Sequence, residues 1–151
     1  FRLMTKEKAE ILSSMNYEGE FIFAFDNPAD MQTIKEKLKI WQPFVKDWQT
    51  KFYVLVGFNS TLKQDLERVF FLKKKKCLAY VMRYQSLDNT KGCYASPFKD
   101  FYTDLASWCN QPGFFKKMTF PEFIEKRHVT EERLMRTMNI VKENNLKILE
   151  V

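Results

Sequence analysis

Histidine, glycine and cysteine are scarce in this chain, and each shortage excludes a kind of site. The 151 residues include one histidine, four glycines and three cysteines. One histidine, His128, and no nucleophile elbow leave no basis for a Ser/His/Asp or Cys/His arrangement. His128 falls in a polar stretch between two predicted helices, and we interpret it as a solvated loop residue. The glycines form neither a Walker phosphate loop nor a GxGxxG fingerprint, so neither type of nucleotide site is expected.

The cysteines form no recognisable redox or metal motif. Cys77, Cys93 and Cys109 are an odd number of thiols, and no CxxC pair occurs. Such a set gives no evident disulfide framework, and we interpret the three as reduced thiols, with Cys77 and Cys109 in apolar surroundings.

Long apolar runs are also missing. No window contains the 18 or so uncharged apolar residues that a membrane helix needs, and the first ten residues lack the apolar core of a secretion signal. With 45% hydrophobic and 16% aromatic residues, the chain can still bury a core, so we expect one soluble, cytoplasmic domain. The chain begins at Phe1 rather than at a methionine, which predicts a fragment or a processed product of a longer protein.

The basic excess is modest. The net charge is +6, and the one dense cluster is formed by residues 73–76, all lysine. These lysines follow a predicted helix, where cations complement the helix dipole and keep the turn in water. A nucleic-acid patch is the other interpretation, although the nearby aromatic residues Phe70 and Phe71 have the pattern of core residues.

The central stretch, residues 51–84, predicts a strand, a helix and a second strand. Residues 52–58 and 77–84 are apolar runs of strand-forming residues. Between them, Thr61 and Gln64 have the spacing of a capping box that opens an amphipathic helix. A crossover of this length joins parallel strands with a right-handed turn.

The same unit precedes this stretch. Residues 21–25 form another apolar run, followed by Asn27 as a helix cap and Pro28 at the first helical position. Strand starts near 21, 52 and 78 give the spacing of βα repeats in an open sheet or a barrel. With a strand end at residues 1–4, we predict four parallel strands.

The pattern changes after residue 84. Residues 85–95 form a polar loop that is either a lid over a ligand or an ordinary surface loop. We predict helices at 96–110, 119–127 and 130–145, a turn at 111–113, and a short strand or frayed tail at 146–151. We therefore divide the chain into a βα-repeat part, 1–84, and a loop and helical extension of the same domain, 85–151.

The carboxyl ends of parallel strands meet at one edge of a sheet, where ligands bind in such folds. Asp26 and Asn27 end the first predicted strand, residues 57–60 the second and residues 83–85 the third. Gly57 would let a ligand approach the backbone, the next helix N-terminus offers amide donors, and Arg83 and Arg2 could each pair with an anion. Caps, turns and surface ion pairs are the structural alternatives for these residues.

The stretch FYVLVGFNSTLKQDLERVFFL, followed by LAYVMRY, resembles the fifth and sixth strand region of radical S-adenosylmethionine (radical SAM) enzymes. There, a strand ends in a glycine-containing turn and the next helix carries an E/D-D-x-x-R-V-like face. RLMTKEKAEIL, FIFAFDN and DLASWCNQPGFFKKMTFPEF are similar to the C-terminal half of such proteins. The resemblance implies an α/β fold, a parallel-stranded partial (half) TIM-type barrel of βα repeats followed by C-terminal helices.

The resemblance also implies cofactors and ligand contacts. Such enzymes hold a 4Fe-4S cluster on a CxxxCxxC loop, with SAM on the unique iron; this chain lacks that loop, and its three dispersed cysteines cannot replace it. The residues expected to contact SAM in the full-length parent are, on the methionyl or ribose side, Gly57, Phe58 and Asn59; on the adenine side, Met82, Arg83, Tyr84 and Gln85; and one strand earlier, Asp26 and Asn27.

Three functions follow as hypotheses. The first is the C-terminal fragment of a radical SAM iron-sulfur oxidoreductase that contributes SAM and substrate contacts, is inactive alone, and pairs with a missing N-terminal half or dimerises through an exposed sheet edge. The second is a non-catalytic α/β module that binds a protein or nucleic acid. The third is a nucleic-acid-modifying member of the same superfamily.

Overall fold

The computed structural model describes residues 1–15, 17–127 and 130–143. Within these ranges the chain alternates helices and strands and then continues with helices. The elements are α1 (Lys6–Ser14), β1 (Phe21–Ala24), α2 (Met31–Trp41), β2 (Thr50–Val56), α3 (Leu62–Lys74), β3 (Leu78–Arg83), α4 (Lys99–Cys109), α5 (Pro112–Lys117), α6 (Phe120–Lys126) and α7 (Glu131–Glu143). Short 3-10 turns, Pro28–Asp30 and Gln42–Phe44, flank α2.

The three strands form one parallel sheet in the order β1-β2-β3. Phe23 of β1 pairs with Phe52 of β2, and Tyr53 of β2 pairs with Tyr80 of β3. The predicted parallel βαβ arrangement of the three apolar runs is therefore confirmed.

The predicted fourth strand at residues 1–4 is wrong. The backbone N–H of Met4 donates to the carbonyl of Phe1 at 3.0 Å, which closes a turn. The Phe1 ring packs against the rings of Phe23 and Phe52 at centroid distances of 4.7 and 5.0 Å. Thr5 already caps α1, since its side chain accepts from the backbone N–H of Lys8. Residues 1–4 are therefore too few to form a strand that pairs with the sheet.

The helices of the two crossovers cover one face of the sheet. Trp41 of α2 packs edge-on against Phe23, and the Arg68 guanidinium of α3 lies over Phe25. Phe52, on the same face, is fully buried. Consecutive right-handed crossovers that move in one direction across a sheet place their helices on the same side.

The opposite face of the sheet remains accessible to solvent in the described structure. Ile22, Tyr53 and Tyr80 alternate with the buried positions and are 46%, 37% and 41% exposed. The Tyr53 and Tyr80 rings lie 5.3 Å apart on this face. We call the side chains of Ile22, Tyr53, Leu55, Tyr80 and Met82 the open face.

The free edge of β3 is covered by a side chain of the helical extension. The Asn110 carboxamide, at the end of α4, accepts from the backbone N–H of Val81 at 2.7 Å and donates to its carbonyl at 3.0 Å. The Asn110 side chain thus makes the two hydrogen bonds to Val81 that the backbone of a neighbouring strand would make. At the other edge, the backbone N–H groups of Phe21 and Phe25 donate to the carbonyls of Gln49 and Tyr53, so the groups of Ile22 and Ala24 point outward.

Several predicted details need correction. Ile11 and Met15, whose spacing places them on one side of α1, are each 58% exposed, and α1 is buried through the small Ala9 instead. The predicted turn at 111–113 is the beginning of α5, with Pro112 at its first position. Lys73, predicted to lie in water, is buried because its ammonium donates to the Phe115 carbonyl at 2.5 Å.

The predicted capping box of α3, Thr61 with Gln64, is confirmed. Thr119 and Glu122 form a second capping box at the predicted start of α6. Two predictions, for His128 and for residues 146–151, lie outside the described residues.

One hydrophobic cluster runs through both parts of the described chain, from Met4 to Val141. Within the described ranges, every helix is too short or too polar to cross a membrane.

Candidate functional site at the carboxyl edge of the sheet

The first strand ends in two side chains that bond to backbone. Asp26 Oδ1 accepts from the backbone N–H of Leu55 at 3.0 Å, which continues the ladder between β1 and β2 by one rung. Asn27 Oδ1 accepts from the N–H of Ala29 at 3.0 Å and caps the following turn. Asn27 thus has the cap contact that its sequence position predicts, whereas Asp26 holds the ends of two strands together.

Gly57 and Asn59 turn the chain away from the sheet. Both have left-handed backbone conformations, with φ of 73° and 46°. The Gly57 N–H donates to Asp65 Oδ2 at 3.0 Å. A Cβ at position 57 would lie 2.5 Å from Cys93 Sγ, so the close neighbour of this glycine is Cys93.

Asp65 is the acceptor around which this turn is built. Its carboxylate is fully buried and, besides Gly57, accepts from Ser60 Oγ at 2.6 Å and from Tyr102 Oη at 2.8 Å. The hydroxyl of Tyr102 reaches it from α4, so the carboxylate joins the turn after β2 to the helical extension. Burial, together with the Asp65 charge, raises the pKa of Tyr102, which keeps this hydroxyl a donor.

Arg68, one helical turn after Asp65, fixes the strand ends. Its Nη1 donates to the carbonyls of Phe25 and Asp26, both at 2.7 Å, and its Nη2 donates to the Leu55 carbonyl at 2.8 Å and to Asp65 at 2.5 Å. The side chain is fully buried, so the guanidinium supplies donors where the ladder between β1 and β2 ends. Arg68 Nε is the one buried side-chain N or O atom without a hydrogen-bond partner among the described residues.

An aromatic pair lies at the same edge, beside the open face. The Phe58 and Tyr84 rings lie 4.7 Å apart, and Phe58 is 40% exposed. Leu55 and Met82 are paired neighbours on the open face one residue before the strand ends, and both are half-buried. Two rings and two flexible apolar side chains therefore border the carboxyl edge on the uncovered side of the sheet.

The predicted anion-binding arginines already have partners. Arg83 donates to Thr103 Oγ1 at 2.8 Å, and its guanidinium lies 4.7 Å from the centre of the Tyr94 ring. Arg2 lies 3.6 Å from Asp30 on the surface. These contacts agree with the structural alternatives, such as a surface ion pair, that the sequence left open for both arginines.

The polar loop at 85–95 folds back on itself. Gln85 and Gly92 form an antiparallel bridge, and the Cys93 N–H returns to the Tyr84 carbonyl at 2.9 Å. Donors from Ser86 and Thr90 lower the pKa of the exposed Asp88 to about 2.

A cavity of about 400 Å³ separates this loop from the start of α3. Its lining is mostly small and polar: Gly57, Ser60, Thr61, Leu62, Lys63, Gly92, Ser96, Phe98 and Tyr102. The loop therefore forms one wall of a recess at the carboxyl edge of the sheet.

The thiols are poorly suited to ligate a metal. Cys77, Cys93 and Cys109 are all buried and free. Burial raises the pKa of Cys77 to about 12, that of Cys93 to about 11, and that of Cys109 as well. Within the described ranges, no three histidine, cysteine or acidic side chains are grouped as a metal site would require.

Sequence reasoning did not assign a site role to Asp65, Arg68 or Tyr102. The available signal was the Asp-x-x-Arg spacing beside the apolar positions of α3, which places both charges at the border of the buried face. Comparison of the chain with protein-family models, with curated proteins and with solved structures finds no match.

Proposed function

We propose that this chain is the C-terminal part of a radical SAM enzyme, in which the carboxyl edge of the sheet contributes SAM and substrate contacts. The observation that carries the proposal is a parallel sheet with helices on one face and, opposite it, the open face, which the described residues leave accessible and which leads to a polar and aromatic edge. In a barrel, such an uncovered face lines the interior, and ligands bind at the carboxyl ends of the strands. The finer fold proposed is therefore half of a TIM-type barrel.

The residues proposed for SAM fit a ligand with a planar ring and a polar chain. Tyr84 and Met82 offer apolar surface for an adenine, since aromatic rings stack on bases and thioethers pack against rings. Phe58, whose ring lies 4.7 Å from that of Tyr84, would border the ribose. The backbone at Gly57 and Asn59 lies beside the recess next to α3 and would face the polar chain. When bound together with a reduced iron-sulfur cluster, SAM would supply a carbon radical; this chain's part is to hold and orient it.

The cluster itself does not fit the cysteines of this chain. Ligation requires thiolates that converge on one site, and these thiols are buried with raised pKa values. They also belong to separate parts of the fold: Cys77 just before β3, Cys93 in the loop, and Cys109 at the end of α4. We propose that the cluster ligands belong to an N-terminal partner segment.

The decisive experiment is to determine the complete reading frame that encodes the chain and to assay its product. We expect a CxxxCxxC sequence upstream of Phe1. After anaerobic reconstitution with iron and sulfide, the product should convert SAM to 5′-deoxyadenosine in the presence of dithionite. A reading frame without the three clustered cysteines would contradict the proposal.

The chain itself permits a second measurement. In a ¹⁵N-labelled sample titrated with SAM, the amide signals of Gly57, Asn59 and Met82 should shift, whereas those of α7 should not. Shifts confined to residues away from the carboxyl edge would contradict the assigned contacts.

A non-catalytic binding module is the second candidate. The open face favours it, because tyrosines at 37% and 41% exposure on a sheet are typical of surfaces that a partner covers. If that partner is RNA, binding should weaken steeply as salt rises, and binding that is flat from low to moderate salt would exclude it.

A further inference from the structure

A second surface, on the helical extension, has the chemistry of a binding groove. Two neighbouring cavities of about 590 and 320 Å³ open between the end of α4, α5 and α6. They share Gln111, Phe114 and Lys126 in their linings, so they adjoin on one surface. We call this surface the α5–α6 groove. Its residues belong to none of the sets proposed above for SAM.

Among the described residues, the lining of the groove includes cations and no carboxylate. Lys117 and Lys126 line the larger cavity, and Lys126 and Arg127 line the smaller one. Within the described part of the chain, neither lysine has a carboxylate within the 4.0 Å limit of an ion pair. Two arginines, Arg127 and Arg133, both pair with one buried carboxylate, that of Asp104. Positive charge therefore exceeds negative charge around the groove.

Apolar side chains hold the cations in place. Lys126 Nζ lies 5.6 Å from the centre of the Phe114 ring, and the Arg127 guanidinium lies 5.7 Å from that of Phe123. The two rings pack 5.3 Å apart. Because each ring already has a cation over it, and Phe123 is buried, little ring face is left for a nucleobase to stack on.

The groove also leaves room for a chain to approach its backbone. A Cβ at Gly113, in the first turn of α5, would meet no atom within 4 Å. Half-buried Phe114 and Met118 are in the lining and offer apolar contact. The combination of open backbone, apolar lining and unpaired cations suits an extended segment that carries both acidic and apolar side chains.

We infer that the α5–α6 groove binds an acidic peptide segment of a partner protein, with an apolar side chain of that segment against Met118 and the rim of the Phe114 ring and its carboxylates on Lys117 and Lys126. Charge complementarity selects acidic over neutral segments and raises the association rate. Exposed ion pairs are individually weak, so affinity should depend on several of them together and should fall with salt.

The test uses a fluorescein-labelled peptide, Glu-Asp-Phe-Glu-Asp-Phe-Glu, and fluorescence anisotropy at low ionic strength. We expect saturable binding that weakens at least about tenfold in the Lys117→Glu, Lys126→Glu double variant, the effect of losing two charge contacts and gaining repulsion. A matched double variant, Lys39→Glu with Lys74→Glu, changes the net charge equally on α2 and α3 and should bind within about twofold of the unchanged protein. If the charge reversals lower the thermal midpoint, Lys117→Gln with Lys126→Gln replaces them.

Three outcomes would overturn the inference. The first is no saturable binding of the peptide at low salt. The second is equal weakening by the groove variant and the matched variant, which would show a diffuse charge effect. The third is tighter binding of a labelled oligothymidylate with the same dependence on Lys117 and Lys126, which would assign the groove to nucleic acid. A peptide with serine in place of phenylalanine should bind more weakly; equal binding would remove the apolar contact.

Discussion

Cys93 Sγ occupies the position that a side chain on residue 57 would need, 2.5 Å from the ideal Cβ. The same sulfur donates to the Val56 carbonyl at 3.3 Å, so the loop after β3 is packed directly onto the end of β2. The glycine at 57 is therefore required by two independent features, its left-handed φ and this contact.

The variant Gly57→Ala should be destabilised for both reasons. The left-handed backbone alone costs roughly 1–2 kcal/mol for an alanine, and the sulfur must also move. Cys93→Ala removes the sulfur that the new Cβ would meet, so it should restore the part of the unfolding free energy that is lost to this clash. In urea unfolding, the Gly57→Ala, Cys93→Ala double variant should therefore be more stable than the sum of the two single effects predicts. Additive effects would show that the loop moves away from β2 without loss.

Removal of the Arg68 guanidinium should be among the most damaging changes in the chain. Arg68→Met leaves the buried Asp65 carboxylate without its cation and three strand carbonyls without their donor, and loss of one partner of a buried pair costs about 3–5 kcal/mol. Lys63→Met, on an exposed position of α3, is the control and should change stability by less than about 0.5 kcal/mol. Similar unfolding midpoints for the two variants would contradict the role of Arg68.

The thiols predict a pH dependence. The pKa values of Cys77 and Cys93 are raised on folding, to about 12 and about 11, so the unfolded thiols ionise first as pH rises. Their contribution to stability is therefore complete below about pH 9 and is lost as pH rises toward the folded values. Urea midpoints measured from pH 8 to 11 should fall, and should fall less in a Cys77→Ala, Cys93→Ala variant compared with its own value at pH 8. A fall as steep in that variant would assign the loss of stability to other groups with raised pKa values, such as Cys109 and Tyr102.

The same burial predicts slow thiol chemistry. At pH 8, Ellman's reagent should react slowly with the native chain and rapidly with three thiols after unfolding in guanidinium, because the thiolate is the reactive form. Rapid reaction of a native thiol would indicate that one of these cysteines is accessible.

No strand of the described residues pairs with the outer edge of β1, and this edge predicts self-association that one substitution should prevent. Ala24→Pro removes an N–H that points away from β2, whereas Phe23→Pro removes one that bonds to it. We expect the unchanged chain to dimerise with rising concentration in light-scattering chromatography, Ala24→Pro to stay monomeric and folded, and Phe23→Pro to unfold. A monomer at high concentration for the unchanged chain would exclude pairing through this edge.

Local patterns in the sequence predicted most of the elements, but not the partners of their buried polar groups. The capping box of Thr61 and Gln64 could be identified because both groups lie within one helical turn. The fourth strand was wrong because a four-residue apolar segment has no periodicity that separates a strand from a turn packed on aromatic rings. The burial of Lys73 could not be predicted, because the carbonyl that accepts its hydrogen bond belongs to Phe115, 42 residues later.

The same limit applies to the predicted site: local patterns located some of its residues, but not those that long-range packing brings together. Strand ends could be located from apolar runs, so the residues of the carboxyl edge were predicted to lie together. The Asp65 network could not, because it depends on the packing of α4 against α3, which brings Tyr102 to a carboxylate 37 residues earlier.

The carboxamide of Asn110 determines at which edge of the sheet another strand can be added. Since it already satisfies the outer backbone groups of Val81, a further strand can be added beside β1 but not beside β3 at this position. Any assembly built from this chain then has a fixed terminus, which distinguishes finite complexes from open-ended fibres. Replacement of Asn110 by leucine would expose the backbone groups of Val81, so that the edges of both β1 and β3 could pair with strands of other molecules.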